Sequence, residues 1–384
     1  MIYLDNAATT YPKPQIVIEE MSKCLKSYCA NAGRSAHTLA LKTAEKIYEA
    51  RNIISDFFGA DEENIVFTYN ATYALNIAIK SLVKDESHIL ISNIEHNAVL
   101  RPIHSICNQT NSTYDIFDTD GTDGEILNNI RSKIKNNTSM LVCNFVSNIC
   151  SRRLPIKEIG ELCKANNIIF IVDGSQGAGH YEINVKQSNI NALCLPSHKG
   201  LYGPQGTGII IFNKVLPKQY IEGGTGINST ELEMPEFLPE KLEAGTLSAP
   251  SIIGLLEGVK WLKTLNIDRI RSHEEDLYMY FQKLISDNDN YIVYESNDYP
   301  GNTICFNSKA ITSNFLAKEL NERGICVRSG LHCSPLAHKT IGTRVDGAVR
   351  ISFSVFNTRN DINELIDALD DISSKFKKKN RNLN

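Results

Sequence analysis

The sequence predicts an α/β protein with a large domain built on a mostly parallel sheet and a smaller α+β domain behind it. Three observations predict this. Short apolar runs of strand length alternate with amphipathic helical stretches from about Ile65 to Phe212. After about Thr246 that alternation stops and a long helical stretch begins. Polar and glycine-rich segments follow several of the apolar runs, at the strand ends where parallel sheets carry ligands.

The strands are read at Ile65–Thr68, His88–Ser92, Ser139–Phe145, Ile168–Asp173, Ala192–Leu195 and Gly206–Phe212. Helical patterns separate them at Thr72–Leu82, Ala98–Cys107 and Ile156–Ala165, the last opened by Pro155. Beyond Thr246 the reading is a helix at Ile252–Leu265, more helix, strands at Thr303–Phe306 and Ala348–Phe353, and a final helix from about Asn360 to Lys375. The domains follow: an N-terminal arm over 1–14, the large domain over 15–250 and the small domain over 251–384.

Composition narrows the function classes. The chain has 384 residues, 42% of them hydrophobic, enough for a sizeable core. Its net charge of -4 does not suggest nucleic acid as a partner. The only basic run, Lys375, Lys377, Lys378, Lys379 and Arg381, reads as a solvated tail. The longest apolar runs, such as Ile168 to Val172, are strand-sized, and the N-terminus lacks the pattern of a signal peptide. No membrane partner and a cytoplasmic location are expected. The ten cysteines include no Cys-x-x-Cys pair, so no metal site is expected. Cys143 and Cys194 lie among apolar neighbours and read as small buried hydrophobes.

Three strand ends carry chemistry. Asp173 follows the run ending at Val172. It could simply cap the next helix, or its carboxylate could pair with a protonated ring nitrogen. Lys199 stands in Ser197-His198-Lys199-Gly200, with glycines at 203, 206 and 208. A lone lysine after a strand is usually at the surface, but a desolvated one can form a Schiff base. Asn70-Ala71-Thr72 opens a helix, where a hydroxyl and backbone N–H groups suit a phosphate or an ordinary cap.

The order and wording of these segments resemble one family. They run from Leu4-Asp5-Asn6-Ala7-Ala8-Thr9-Thr10 and Gly33–His37 through Glu95-His96-Asn97, Val172–His180, Ser197–Gly208 and Glu243–Thr246. Arg328–Cys333 and Val349–Thr358 complete the series. The chain is similar to the cysteine desulfurase and selenocysteine lyase branch of the class V aminotransferases, over nearly its whole length. That resemblance implies a fold type I transferase dependent on pyridoxal 5'-phosphate. Lys199 would hold the cofactor as a Schiff base, His96 would lie over its ring and move protons, and Asp173 would pair with the pyridine nitrogen. Gln176 would bond the phenolic oxygen. Thr72 with the Ala71 backbone, Ser197 and His198 would hold the phosphate, and Thr246 would reach the phosphate of a neighbouring subunit in a homodimer. Arg350 would grip the substrate carboxylate, a task suited to a guanidinium, and Asn148 would sit beside cofactor and substrate. Without the pattern, His96 reads as a satisfied histidine at a helix start and Arg350 as half of an ion pair.

Cys333 lies in the polar, partly basic segment Arg328–Pro335. Thiolates are favoured beside Arg and His⁺, and the thiolate is the nucleophile. The resemblance places the desulfurase nucleophile there, taking sulfur from L-cysteine, leaving L-alanine, and passing a persulfide to a sulfur-acceptor protein. The short segment from Cys333 to Arg350 resembles the group with a short, ordered catalytic loop. One stretch departs from the family. Asn148-Ile149-Cys150-Ser151-Arg152-Arg153 stands where a small Gly- and Thr-containing segment is usual. Either both arginines point to solvent, or they alter substrate preference or make a new anionic contact. The alternatives are therefore a selenocysteine lyase or related lyase on the same scaffold, and an inactive scaffold in sulfur transfer.

Overall fold

The computed structural model describes every residue except Arg34, 295–299, Arg344 and 382–384. Arg34 of the Gly33–His37 motif therefore lies outside the described residues, as do the side chains of Lys379 and Arg381 in the basic tail. The chain divides into two compact units. One comprises Lys13–Phe145 and Leu154–Ile267; the other comprises Met1–Pro12, Val146–Arg153 and Asp268–Asn384.

The first unit is built on a seven-stranded sheet. Its spatial order is Ile65–Thr68, Gly208–Phe212, Ala192–Pro196, Ile169–Asp173, Thr138–Asn144, His88–Ser92 and Thr113–Phe117. Only Gly208–Phe212 runs against its neighbours; the remaining pairings are parallel. The central strands are apolar and buried along their whole length, as a sheet covered on both faces requires. The edge strand Thr113–Phe117, Thr-Tyr-Asp-Ile-Phe, is only half-buried. Its polar edge character hid it from the apolar-run reading.

Register brings the chemical segments together. Asn144 stands level with Asp173, and Asp173 with Cys194. Because Gly208–Phe212 is antiparallel to both neighbours, Ile65–Thr68 points the same way as Ala192–Pro196. Gly208 pairs with both Thr68 and Pro196. The segments after Thr68, Ser92, Asn144, Asp173 and Pro196 therefore all leave the same edge of the sheet.

The helix Ala249–Leu265 packs on the helices Gln15–Ser27 and Thr38–Phe58, burying Ile252, Ile253, Leu255, Leu256, Val259 and Leu262. It thus goes with the first unit, and the boundary falls one helix later than the 250/251 position read from sequence. The end of strand–helix alternation marks a change of pattern. It does not say against which core the next helix packs.

The second unit has a four-stranded antiparallel sheet, ordered Arg328–Gly330, Ala348–Ser352, Thr303–Ser308 and Tyr291–Tyr294. The start of the chain belongs here. Ile2–Tyr3 pairs in parallel with Ile325–Cys326, and Leu4 is buried in a core with Phe281, Phe306, Val349, Ile351 and Leu365. The first residues are thus a strand with core contacts of its own rather than a free arm.

Candidate active site

In the first unit, Asp173 ends its strand buried, and its Oδ1 accepts the Ser175 N–H at 2.9 Å. It caps a turn rather than a helix, since no helix lies between Asp173 and Ala192, so the helix-capping reading does not hold. Beside it lies Glu95, wholly buried, which accepts from the Ser92 hydroxyl and from the Asn144 N–H at 2.9 Å. Burial, aided by the neighbouring Asp173 charge, pushes the Glu95 carboxyl up to about 8. Glu95 is then a neutral acid at pH 7. Sequence reading passed over it as part of Glu95-His96-Asn97. An acidic residue three positions past the apolar strand His88–Ser92 was the available signal.

His96 caps the helix Asn97–Thr110, with its Nδ1 accepting the Ala98 N–H at 3.0 Å. An accepting Nδ1 leaves the ring proton on Nε2, so the cap fixes the tautomer. The capping reading is compatible with Nε2–H donating a proton, because the two use different nitrogens.

Lys199 sits in a tight turn. The Gly203 N–H bonds the Ser197 carbonyl at 2.9 Å and the Tyr202 N–H bonds the Lys199 carbonyl at 2.8 Å. The turn packs backbone to backbone on the segment after Asp173. A Cβ on Gly179 would come within 1.9 Å of the Gly200 carbonyl oxygen, so glycine is required there. Lys13 donates to the His198 carbonyl at 2.8 Å, and burial pulls its pKa down to about 7. His198 is driven down to about 4 by burial and by the Lys199 and Lys13 charges, so its imidazole is neutral.

The Ser197 hydroxyl is buried and has no hydrogen-bond partner among the described residues. Such an orphan costs about 1–3 kcal/mol and suits an incoming acceptor. The helix Ala71–Leu82 begins nearby in register. Asn70 caps it by accepting the Tyr73 N–H at 2.9 Å, and a Cβ on Gly208 would press on the Asn70 backbone at 2.5 Å. By helix geometry the N–H groups of Ala71 and Thr72 have no intrahelical acceptor. Thr246 follows Glu243, whose carboxylate holds Arg51 at 2.6 Å and the Phe67 N–H at 2.7 Å. Thr246 lines a cavity with Thr68, Tyr69, Tyr73 and Gly206. Gln176 is buried on the Asp173 segment.

In the second unit, Arg350 is buried on the strand Ala348–Ser352. Its Nη2 donates to Asp5 Oδ1 at 2.6 Å and its Nη1 to the Asn148 carbonyl at 3.3 Å. Its Nε has no partner among the described residues. Burial lowers the guanidinium pKa and Asp5 opposes that shift. Asn148 brackets the cysteine segment, its Nδ2 donating to the His332 carbonyl at 3.2 Å and its Oδ1 accepting from the Ser334 hydroxyl at 2.8 Å. Between those two contacts stands Cys333, exposed, at φ 57°, directly after His332 at φ 50°. Two successive left-handed non-glycine residues cost about 1–2 kcal/mol each. Cys143 and Cys194 are buried, and burial raises both thiols well above their ordinary range.

The unusual segment is structured. Ser151 adopts φ 54°; its hydroxyl donates to the Thr303 carbonyl at 2.8 Å and accepts the Thr303 N–H at 3.0 Å. Arg152 is buried, so the reading in which both arginines face solvent does not hold. Arg153 is half-buried and its charge acts on Glu275.

Residues 2–365 match the family model described as aminotransferase class-V. The chain belongs to the class V aminotransferases. Among curated relatives, a probable cysteine desulfurase of Pyrococcus abyssi is 30% identical over 383 residues, covering 97% of this chain and 94% of the relative. A probable cysteine desulfurase of Methanothermobacter thermautotrophicus is also 30% identical, with the same coverage. Among solved structures, the apo cysteine desulfurase of Thermococcus onnurineus NA1 superimposes with a TM-score of 0.90 at 28% identity, covering 97% of this chain and 94% of that one.

Class V aminotransferases depend on pyridoxal 5'-phosphate, and the first unit fits that group. It offers a lysine in a tight turn, a buried carboxylate one strand away, a buried hydroxyl with no partner among the described residues, and a helix start. Among the described residues no cluster of His, Cys, Asp and Glu could hold a metal ion, and no helix is long and apolar enough to cross a membrane.

Proposed function

We propose that this class V aminotransferase is a cysteine desulfurase that converts L-cysteine to L-alanine and leaves a persulfide on Cys333. The observation that carries this reading is Cys333 itself, exposed on a left-handed turn bracketed by Asn148, in the same unit as the buried Arg350. Pyridoxal phosphate, when bound, supplies an electron sink at the substrate carbons. Lys199 anchors it covalently and Asp173 keeps its ring nitrogen protonated. Gln176 bonds its phenolic oxygen. The Ser197 hydroxyl, Thr72, the Ala71 N–H and neutral His198 hold its phosphate. His96, with Nδ1 occupied as a cap, presents Nε2–H as a proton donor, and the Lys199 amine takes the substrate's α-proton.

Arg350, held by Asp5, takes the substrate carboxylate, and Asn148 lies between the carboxylate and sulfur ends of the reaction. The Cys333 thiolate attacks the substrate sulfur. The new S–S bond forms as the substrate C–S bond breaks, its electron pair staying on the carbon, which gains a proton to become the alanine methyl group. Cysteine and the thiol thus become alanine and Cys333–S–SH with no other reactant. A sulfur-acceptor protein then collects the outer sulfur from the exposed residue.

The exposed Tyr69 and Tyr73 beside Thr246 support a homodimer in which Thr246 reaches the neighbouring phosphate site. Ten unpaired cysteines suit a reducing, cytoplasmic setting. A large domain over 15–250 remains the cofactor-binding part in this reading, with the helix Ala249–Leu265 added to it.

The test compares wild-type holoenzyme with Cys333→Ala, measuring alanine from L-cysteine and sulfide in the presence of reductant. Loss of both in the variant is expected. Alanine formation at the wild-type rate by Cys333→Ala would overturn the persulfide reading. Retained activity on selenocysteine alone would shift the assignment to a selenocysteine lyase.

A further inference from the structure

The conformation of Cys333 needs a cause, since neither it nor His332 is a glycine and both are left-handed. The cause lies beneath the turn. The His332 ring is buried and lies nearly parallel to the ring of His338, with centroids 5.3 Å apart and planes 15° from parallel. His332 Nε2 lies 3.2 Å from the Arg328 carbonyl, and its Nδ1 lies 3.1 Å from His338 Nε2. His338 Nδ1 lies 2.9 Å from the Thr343 hydroxyl.

The proton positions in this chain follow from its two ends. A carbonyl can only accept, so His332 Nε2 carries the hydrogen and His332 Nδ1 is an acceptor. His338 Nε2 must then donate to it, and His338 Nδ1 accepts from the Thr343 hydroxyl. Both rings are neutral in this arrangement, as burial and the nearby Arg350 charge require. The chain runs from Thr343 to the strand Arg328–Gly330 and passes directly under the residue before Cys333. Above the turn, Asn148 and Ser334 close the bracket.

We propose that His338 is a positioning residue for Cys333: its Nε2–H orients the His332 ring, and the ring holds the left-handed turn that aims the Cys333 sulfur. Thr343 acts one step further back by orienting His338. The proposal rests on the reading of Cys333 as the persulfide nucleophile. It adds that the sulfur-transfer step, and not the earlier steps at Cα, depends on His338.

The experiment separates those steps in the holoenzyme. Exchange of the Cα hydrogen of L-alanine with solvent deuterium requires the cofactor and its bases but breaks no C–S bond. Persulfide formation on Cys333 in a single turnover, followed by mass spectrometry, requires the sulfur to be aimed. In His338→Leu we expect a fall of roughly 10- to 100-fold in persulfide formation at saturating cysteine, with alanine exchange within about twofold of wild type and KM nearly unchanged. His338→Gln, whose amide N–H can replace the Nε2 donor, should recover part of the rate, and Thr343→Val should lie between it and wild type. An unchanged persulfide rate in His338→Leu overturns the proposal. So does an equal fall in exchange and persulfide formation, which marks general structural damage. If His338→Leu does not accumulate as holoenzyme, Thr343→Val carries the same comparison. A wild type that forms no Cys333 persulfide yet makes alanine overturns the function reading instead.

Discussion

Arg350 and Asp5, from opposite ends of the chain, form a 2.6 Å ion pair in which the guanidinium is buried and the carboxylate is partly open to solvent. The strand geometry makes the pair. Asp5 bridges to Ser352, two residues beyond Arg350 on the strand Ala348–Ser352. Leu4 fixes the approach, its N–H bonded to the Cys326 carbonyl at 2.9 Å and its side chain buried in the core of the second unit. The asymmetry in exposure decides what each substitution does.

Asp5→Ala leaves a buried cation without its counter-charge and should cost about 3 kcal/mol in unfolding free energy. Arg350→Met leaves only a partly solvated carboxylate and should cost less. The double variant should recover part of the Asp5→Ala loss. Urea unfolding of the three variants checks the order. Additive costs would show that the two residues are not energetically coupled.

Lys199→Ala should abolish the visible absorbance of the cofactor-loaded protein, because no other residue of the Ser197–Gly200 turn carries an amine. Absorbance of protein purified with added pyridoxal phosphate reads this directly, without reference to activity. A retained band of wild-type position would remove Lys199 from the role.

Glu95 makes a prediction about pH. Its folded value of about 8 lies above the 4.5 of an ordinary glutamate. Its contribution to stability is therefore complete below pH 4.5 and is lost as pH rises toward 8, because the unfolded chain releases the proton first. His198, with its folded value lowered to about 4, acts in the opposite sense between pH 4 and 6.5, and Lys13, lowered to about 7, does so above pH 7. The difference between Glu95→Gln and wild type cancels those shared terms. Relative to wild type, Glu95→Gln should gain stability steadily from pH 5 to pH 8. A difference independent of pH, measured by urea midpoints, would mean that Glu95 titrates normally.

Ser151 combines two opposed contributions, a left-handed backbone and two hydrogen bonds to Thr303. Ser151→Gly relieves the first and loses the second, for a net cost of about 1 kcal/mol. Ser151→Ala keeps the backbone cost and also loses the bonds, so about 2 kcal/mol is expected. Thermal unfolding should rank wild type above Gly and Gly above Ala. If Ala proves the more stable of the two, the hydrogen bonds are not what holds Ser151 in place.

Much of the first unit was legible because its strands are continuous apolar runs, and such runs in a covered parallel sheet need no information from their neighbours. Ile65–Thr68, His88–Ser92 and Ile156–Ala165 stand where the sequence placed them. Thr113–Phe117 did not show because an edge strand is half solvated. Lys199, Asp173 and the Asn70–Thr72 helix start were visible as residue types at strand ends. The Asn70–Thr72 start shares the edge of the other two through the antiparallel strand Gly208–Phe212, whose direction no local pattern encodes.

The sequence by itself determined the α/β character and the family, since those depend on local periodicity and on the order of motifs, and it marked candidate site residues by side-chain type. Only the tertiary structure decided that Asp5 partners Arg350, that Glu95 is wholly buried, and that His338 and Asn148 contact His332 beside Cys333. Each of these joins residues far apart in the chain or depends on exclusion of water. Hydrogen-bond partners and burial come from packing, and packing is not written in any single stretch of sequence.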